Sequence, residues 1–324
     1  MIDVARLAGV SHQTVSRVMN QAGGVTPEVR ERVEEAIRQL RYRRNPAARA
    51  LATSRSMNVG IVSFGLSQYG PSVALTGIAD EARAAGYATN IVSLMDVDRS
   101  TMREALGHLV TDSVDGIIVL APVEAALAAL GELDTDMPLV MFHPGGAPAT
   151  DRIRTDEFAG ARLATEALLD AGHPTVHHVS GPPGWLGTRA RIDGWSAVLA
   201  ERGRPAHPPI PGDWTTESGY LAGLRLAEVP GVRAVFAGND QMALGVMKAF
   251  ADLGVRVPED VSIIGFDGVP ESEYFRPALT TVNFDFAEVG RRAVDQLLRL
   301  LDGHDPGPAP PIRPKLILRE SARV

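Results

Sequence analysis

Three polar side chains near the start of the chain have the types and the spacing needed to read DNA. His12 and Gln13 are adjacent, and Arg17 follows about one helical turn later. A Gln amide can bond adenine through two hydrogen bonds, and an Arg guanidinium can bond guanine in the same way. In a helix-turn-helix, the first turns of the second helix present such side chains to the major groove. The segment therefore predicts sequence-specific contact with double-stranded DNA.

Two short helices are needed to position these side chains. The pattern predicts a first helix over residues 3–8, a tight turn at Gly9, and a second helix over residues 12–20. Ser11 is expected to N-cap the second helix by accepting a hydrogen bond from its free first-turn amides. The apolar residues expected to face each other between the two helices are Val4, Ala5, Ala8, Val15 and Val18.

A third helix is predicted to run from Pro27 to about residue 41. Thr26 is expected at its N-cap and Pro27 at its first helical position. Its apolar face is expected to consist of Val29, Val33, Ile37 and Leu40. Phosphate contacts position such a module without reading its sequence. The hydroxyl groups expected to make them belong to Ser11, Ser16, Thr26 and Tyr42.

Charge is distributed unevenly along the chain. The net charge is −7, yet residues 1–56 contain ten Arg against five acidic residues, so that the remainder carries −12. A basic head on an acidic body is expected when only one end of a protein meets a polyanion.

The composition excludes several classes of function. The chain has 324 residues and no Cys, which excludes disulfides, thiolate metal sites and a Cys nucleophile. Its first residues do not form a secretory signal, and no apolar run reaches the roughly 18 residues that a membrane span needs. Motifs typical of a serine hydrolase, a phosphate-binding loop or a dinucleotide site are also missing. We expect a cytoplasmic protein without membrane contact, catalytic residues, bound metal or cofactor.

The longer part of the chain alternates short apolar runs with amphipathic segments. This alternation is typical of βαβ units and predicts doubly wound parallel sheets, and the length favours two similar lobes. Chain crossings between the lobes are expected at residues 151–155 and 279–286. The predicted strands are residues 59–64, 89–94, 116–120, 139–142, 176–180, 234–237 and 261–266, with strand-like residues at 315–318.

Long ordered motifs resemble one family of bacterial regulators. Residues 3–20 read D-V-A-x-x-A-G-V-S-x-x-T-V-S-R-V-x-N, and residues 45–52 read N-P-A-A-R-A-L-A. Further motifs are R-A-R-I-D-G-W at 189–195, G-D-W-T-T-E-S-G-Y at 212–220, N-D-Q-M-A-L-G at 239–245 and I-I-G-F-D at 263–267. These segments resemble the LacI/GalR family, and its lactose-repressor-type members most. One departure is that only Met1 and Ile2 precede the motif, where the family usually has an N-cap such as Thr. The first helix is then poorly capped, or the true start lies upstream.

The resemblance implies a fold and a domain organisation. It implies an α/β protein with a small all-α helix-turn-helix headpiece and a bilobed, periplasmic-binding-protein-like body of two doubly wound parallel sheets. The implied domains are a headpiece over residues 1–44, a hinge helix and linker over 45–57, and an effector-binding body over 58–324. The N-lobe of the body comprises about 58–154 and 286–312, and the C-lobe comprises about 155–285 and 313–324.

The resemblance also assigns residues to DNA. Asn20 closes the headpiece motif and joins His12, Gln13 and Arg17 among the implied DNA contacts. Asn45 is implied to cap the hinge helix and Ala48 to let two hinge helices touch across a dyad. Leu51 is implied to be an apolar wedge in the minor groove.

A second set of residues is implied to bind a small effector between the lobes. Arg191 and Asp267 are expected to grip hydroxyl groups, and Asn239 to offer an amide. Trp214 and Phe286 are expected to stack on the apolar face of a sugar ring. Two further implied contacts are Pro71, in the wall segment 68–72, and His143, where lactose-repressor-type members have an acidic residue. Phe284 also departs from the family, because it stands where a polar residue is expected.

These expectations combine into one function with stated alternatives. We expect a homodimeric repressor whose binding to operator DNA is relieved by a small molecule, a sugar or glycoside. Dimers rather than tetramers are expected because the chain ends at Val324 without a C-terminal leucine-heptad helix. A corepressor-dependent regulator of the same family is one alternative. A solute-binding protein and a sugar-metabolising enzyme are alternatives from other classes.

Overall fold

Helices that follow the predicted pattern make up the start of the chain. The computed structural model describes residues 1–19, 23–42, 55–132, 137–145 and 149–324. It divides the chain into two units, Met1–Ser56 and Met57–Val324. Four of the residues assigned to DNA lie outside the described residues, namely Asn20, Asn45, Ala48 and Leu51.

The first unit contains three described helices, α1 (Ile2–Ala8), α2 (His12–Met19) and α3 (Pro27–Gln39). No side chain caps α1, which ends at Gly9 with a φ of 63°. Gly adopts this left-handed conformation without the steric cost that a Cβ would bring. At the start of α2, Oγ of Ser11 accepts a hydrogen bond from the amide of Thr14 at 3.1 Å. The predicted N-cap of the second helix is therefore confirmed.

Small and branched residues fill the centre of this helical unit. The five residues predicted to face each other between α1 and α2 are all buried. On α3, Val33 and Ala36 are buried, whereas Leu40 is 44% exposed. The prediction that Leu40 belongs to the apolar face was wrong, because α3 ends at Gln39 and the chain turns there. Thr26 occupies the N-cap position of α3 without a capping hydrogen bond from its side chain.

The second unit begins with a five-stranded sheet in the order β2-β1-β3-β4-β5, in which every pairing is parallel. Its central strands are buried apolar runs, as expected when helices cover both faces of a parallel sheet. Its elements are β1 (Asn58–Phe64), α4 (Tyr69–Ala84), β2 (Ala88–Leu94), α5 (Arg99–Thr111), β3 (Gly116–Leu120), α6 (Glu124–Gly131), β4 (Leu139–Phe142) and β5 (Arg152–Ile153).

A six-stranded sheet follows in the order β11-β10-β9-β8-β6-β7, and only the β10–β11 pairing is antiparallel. A 3₁₀ turn, Pro270–Tyr274, follows its strand β9. The elements are α7 (Glu157–Asp170), β6 (His177–Ser180), α8 (Leu186–Glu201), β7 (Ile210–Pro211), α9 (Thr216–Ala227), β8 (Ala234–Ala237), α10 (Asp240–Asp252), β9 (Ser262–Asp267), β10 (Thr280–Asn283), α11 (Phe286–Leu301) and β11 (Lys315–Ile317). The two parallel-dominated sheets and the helical first unit confirm the predicted fold class.

The chain passes from one sheet to the other more than once. After β5 it enters α7, which contacts strands of the second sheet, and after β10 it enters α11, which packs against α4 and the first sheet. Residues 279–286 were expected to be a crossing only. They also contain β10, because Thr280–Asn283 pairs in parallel with β9.

A row of Phe rings connects the interiors of the two lobes. Phe236 on β8 contacts Phe266 on β9, Phe266 contacts Phe284, and Phe284 contacts Phe286 at the start of α11. The centroids of successive rings are 5.6–5.9 Å apart, within the usual range for aromatic pairs. Phe284 is 3% exposed, so its ring belongs to this core.

Among the described residues, no helix has the length and apolar character needed to cross a bilayer.

Candidate functional site

A cavity lies between the two sheets, at the ends of their strands. It encloses about 460 Å³ of empty space, counting the solvent at its mouth. Ligand sites of open α/β sheets lie at the carboxyl ends of the strands. The cavity is lined by Gln68, Gly70, Pro71, Pro122, Phe142, Pro144, Glu157, Trp185, Gly187, Arg191, Trp214, Asn239, Asp267 and Phe286.

Arg191 is the charged centre of the cavity. It lies on α8, is 7% exposed, and donates from Nε to Oε2 of Glu157 at 2.7 Å and from Nη2 to Oδ1 of Asp267 at 3.0 Å. Nη1 donates to the carbonyl of Gly238. Burial disfavours the charge of the guanidinium, but the two carboxylates outweigh it and raise the pKa of Arg191. Arg191 therefore remains charged, with two hydrogen atoms of its five-donor fork left over.

Asp267 reaches the cavity from the last residue of β9. Its φ of 94° is unusual for a residue with a Cβ, and such strain of about 1–3 kcal/mol is found mostly at functional sites. Burial raises the pKa of this carboxyl to about 6, although the pairing with Arg191 opposes the increase. The fold thus holds a buried carboxylate in a strained conformation where it can accept a hydrogen bond from a ligand.

Aromatic rings form the apolar walls. Trp185 and Trp214 meet at nearly a right angle, with an interplanar angle of 78° and centroids 5.8 Å apart. Trp214 can lie over the end of β6 only because residue 181 is Gly, since a Cβ there would come within 2.0 Å of the indole ring. Nε1 of Trp214 is buried without a hydrogen-bond partner in the structure. A bound molecule with an acceptor atom could satisfy this donor.

Asn239 has a structural role that sequence patterns alone leave open. Its Oδ1 accepts from the amide of Met242 at 2.8 Å, which caps α10, and its Nδ2 donates to the carbonyl of Trp214 at 3.0 Å. The side chain therefore couples the start of α10 to Trp214 and keeps one donor hydrogen for the cavity.

The headpiece presents its own candidate surface. His12, Gln13 and Arg17 are exposed on α2, while Val15 and Val18 on the same helix are buried. Ser16 is half-buried, and so is Tyr42, whose ring packs against the headpiece core. The polar side chains with base-reading capacity thus lie together on the face opposite the core.

These two sites have the chemistry of recognition. Within the described parts of the chain, no group of three or more His, Cys, Asp or Glu residues is placed to hold a metal ion. The cavity combines a charged donor, two carboxylates and aromatic walls, a set suited to a small molecule with several hydroxyl groups.

Comparisons with known proteins match each unit separately. Residues 1–45 match the family described as "Bacterial regulatory proteins, lacI family". Residues 165–322 match the family described as "Periplasmic binding protein-like domain".

Whole-chain comparison extends these matches. The lactose operon repressor of Escherichia coli (strain K12) is 34% identical over 310 residues, which cover 94% of this chain and 85% of that protein. The chain belongs to the LacI family. The protein is therefore a LacI-family DNA-binding transcriptional repressor.

Solved structures agree with this LacI-family assignment. A lac repressor dimer bound to operator and the anti-inducer ONPF superposes with a TM-score of 0.90 and 31% identity, covering 98% of this chain and 97% of that one. The transcriptional regulator CelR in complex with cellobiose gives a TM-score of 0.72 and 28% identity, with 98% coverage of both chains.

The cavity between the two sheets brings together most of the residues that were predicted to contact the effector. Six of the seven line it, namely Pro71, Arg191, Trp214, Asn239, Asp267 and Phe286. His143 is the exception. It is 7% exposed, its Nδ1 lies 2.9 Å from the carbonyl of Gly145, and burial lowers its pKa. Its neighbours Phe142 and Pro144 line the cavity instead.

Two important lining residues were missed from the sequence. Glu157 is the first residue of α7, where an acidic side chain is ordinarily explained by the helix dipole. Trp185 precedes α8 and belongs to no motif used to predict the site. The Gly-rich stretch from Gly181 to Gly187 comes directly after a predicted strand. It could have indicated a loop at the end of the sheet, with Trp185 in that loop.

Proposed function

We propose that this protein is a homodimeric repressor that acts in the cytoplasm and whose binding to operator DNA is relieved by a sugar or glycoside. The observation that carries the proposal is the pairing of Arg191 with Asp267 beside the ring of Trp214. The guanidinium keeps donors and the carboxylate keeps acceptor positions, which suits vicinal hydroxyl groups. The indole ring supplies the apolar surface that a pyranose face needs.

We assign the cavity as the effector site of the body and α2 as the DNA-reading helix of the headpiece. In this proposal, His12, Gln13 and Arg17 contact base edges, and the headpiece hydroxyl groups contact phosphates. The hinge over residues 45–57, with Leu51 as its wedge, connects the two. Two-fold symmetry of the dimer requires a pseudo-palindromic operator.

The position of the cavity explains how an effector would release the protein from operator DNA. Its wall residues come from helices and strands of both lobes, for example Pro71 on α4 and Asp267 on β9. A ligand that fits one lobe arrangement better shifts the population toward it. A coupling free energy of about 1–3 kcal/mol gives a switch of about 5–150-fold in operator affinity.

Support also comes from proteins that this chain resembles. The CelR regulator is described in complex with cellobiose, and the lac repressor is described as a dimer bound to operator. We infer a carbohydrate effector and a dimeric, DNA-bound form for this chain by that similarity.

The deciding experiment measures DNA binding with and without sugars. The purified protein is titrated by fluorescence anisotropy into the DNA upstream of its own operon, at several salt concentrations and with a panel of monosaccharides and disaccharides. We expect specific binding that weakens steeply with salt, because counterions are released from the phosphates. One sugar is expected to weaken binding about 5–150-fold, as the coupling above implies.

The sign of the response separates the alternatives. A small molecule that strengthens operator binding would show a corepressor-dependent regulator, and would contradict relief by the effector. Sugar binding without any specific DNA binding would show a solute-binding protein. A sugar that is chemically converted on incubation would show an enzyme.

A further inference from the structure

We propose that the cavity selects uncharged polyhydroxylated ligands and rejects their phosphorylated or carboxylated counterparts, with Glu157 as the residue that sets this selectivity. The inference rests on the proposed function of the cavity as an effector site. It adds the charge class of the ligand, which follows from groups around Arg191.

The charge of Arg191 is already balanced by two carboxylates. Glu157 is 1% exposed and accepts from Nε of Arg191 at 2.7 Å, while Asp267 is 8% exposed and accepts from Nη2 at 3.0 Å. Oε1 of Glu157 also accepts from Oγ1 of Thr155 at 2.9 Å, which fixes the carboxylate in place. Among the described residues that line the cavity, Arg191 is the only cation, so an entering anion meets a net negative surface.

The faces of the guanidinium are covered as well. Its central carbon lies 3.8 Å from the ring centroid of Phe266 and 5.2 Å from that of Trp214. A phosphate usually binds Arg through two parallel hydrogen bonds along one edge of the fork. Here the Nε and Nη2 donors are committed to carboxylates and Nη1 to the carbonyl of Gly238. One hydrogen atom on Nη1 and one on Nη2 remain for a ligand.

Helix N-termini offer a second way to bind anions, and Glu157 opposes it. The first turn of α8 faces the cavity, since Trp185 and Gly187 are both lining residues. Such a turn attracts negative charge. Oε2 of Glu157 lies 3.8 Å from the position that a Cβ on Gly187 would occupy, and the amide of Leu186 donates to the carbonyl of Pro122. The protein's own carboxylate therefore stands where an external anion would benefit from α8.

Two further helix starts near the cavity are capped by side chains of the protein. Asn239 accepts from an amide of α10, and Asp156 accepts from the amide of Ala159 in α7. Together these contacts balance the charge of Arg191 and place a protein acceptor or carboxylate at the starts of α7, α8 and α10, while leaving polar groups for hydroxyls.

The test compares matched neutral and anionic probes on the full-length protein. The probes are glucose with glucose 6-phosphate and glucuronate, galactose with galactose 6-phosphate, and inorganic phosphate alone. Binding is followed by Trp fluorescence, because two of the three Trp residues line the cavity, and by the melting temperature. The variant is Glu157→Gln, and the matched control is Glu201→Gln, which removes the same charge from the exposed end of α8.

We expect each anionic probe to bind wild type at least about tenfold more weakly than its neutral partner, or not at all, because like charges at short range repel strongly. In Glu157→Gln, binding of inorganic phosphate and the 6-phosphates should strengthen about tenfold. Glu201→Gln should behave like wild type. If Glu157→Gln does not fold, Asp267→Asn removes the other carboxylate, and the same gain in phosphate binding is expected.

Two results would overturn the inference. In the first, the wild-type protein binds phosphate or a 6-phosphate as tightly as it binds the neutral sugars. In the second, the charge-removal variants show no gain in anion binding. The first result would not contradict the proposed function if a neutral sugar also releases the protein from DNA. Conversely, exclusion of anions without release by any neutral sugar would uphold the charge selectivity and reject the proposed sugar response.

Discussion

Replacing Asp267 by Asn should make the protein more stable and less responsive to its effector. The change keeps the shape of the side chain and removes only the charge. Asn also adopts positive φ values more readily than most residues, so the backbone at φ 94° is retained. The substitution therefore isolates the energetic cost of a buried carboxylate.

The size of the stability gain follows from the pKa of Asp267. Burial raises this pKa to about 6, compared with an ordinary value of about 4 for Asp. The folded protein then binds a proton more tightly than the unfolded chain does. Stability is accordingly lost as the pH rises from about 4 through 6. At about 1.4 kcal/mol for each pKa unit, the loss above pH 6 is on the order of 3 kcal/mol.

The assay is urea unfolding of wild type and Asp267→Asn at pH 4.5, 6 and 7.5, with the protein concentration held fixed because the proposed dimer would unfold in a concentration-dependent way. We expect the variant to be more stable by up to about 3 kcal/mol at pH 7.5 and by much less at pH 4.5. Asp295→Asn on the surface of α11 is the control, and should change stability by less than about 0.5 kcal/mol at every pH.

Equal stability of wild type and Asp267→Asn at pH 7.5 would refute this reasoning, and so would a difference that does not vary with pH. The same variant should bind its effector more weakly by about 1.5–3 kcal/mol, the usual contribution of a hydrogen bond to a charged group. Binding to the operator without effector should be unchanged.

Three further substitutions test other parts of the molecule. Arg17→Ala should weaken operator binding by about 1–3 kcal/mol and relax the preference at one base pair, as measured by anisotropy with a set of single-base operator variants; unchanged preference would reject the contact. Ser11→Ala should lower the stability of the headpiece by about 0.5–2 kcal/mol, because α2 loses its cap, and a melt followed by circular dichroism measures this loss. Gly181→Ala should displace Trp214, reduce stability by about 1–3 kcal/mol and change the Trp fluorescence, whereas Gly107→Ala has open space around its new methyl group and should leave the fluorescence as it is.

Much of the fold followed from the sequence because its signals are local. Apolar runs such as the one that became β3 (Gly116–Leu120) and the cap at Ser11 depend on neighbouring residues alone. By contrast, β10 and β5 are short and acquire their strand conformation by pairing with strands outside their own segment. For instance, Thr280 of β10 pairs with Ile264 of β9. Short strands of this kind have no periodic signal of their own.

Site residues could be predicted from the sequence where they belong to a motif. They could not be predicted where their contact with the site depends on tertiary structure. Arg191 and Asp267 lie in recognisable motifs, and both line the cavity. Glu157 resembles an ordinary acidic residue in a first helical turn, and only the fold brings it to Arg191, 34 positions away. The resemblance implied His143 because lactose-repressor-type members have an acidic residue there, but its buried ring lies beside the carbonyl of Gly145. Its two neighbours contact the cavity in its stead.

The row of Phe rings from Phe236 to Phe286 restricts how the lobes can move. The rings touch in series from β8 of the second sheet to α11, which packs on the first sheet. Successive rings meet at interplanar angles of 48–52°. Tilted apolar contacts of this kind can shift while staying out of water, so we expect the lobes to rotate about this row of rings. Rotation of that kind exposes little new apolar surface, and the heat-capacity change of the transition should be small. The enthalpy difference between the two lobe arrangements should then stay nearly constant with temperature, and a van't Hoff plot of their equilibrium should be close to linear.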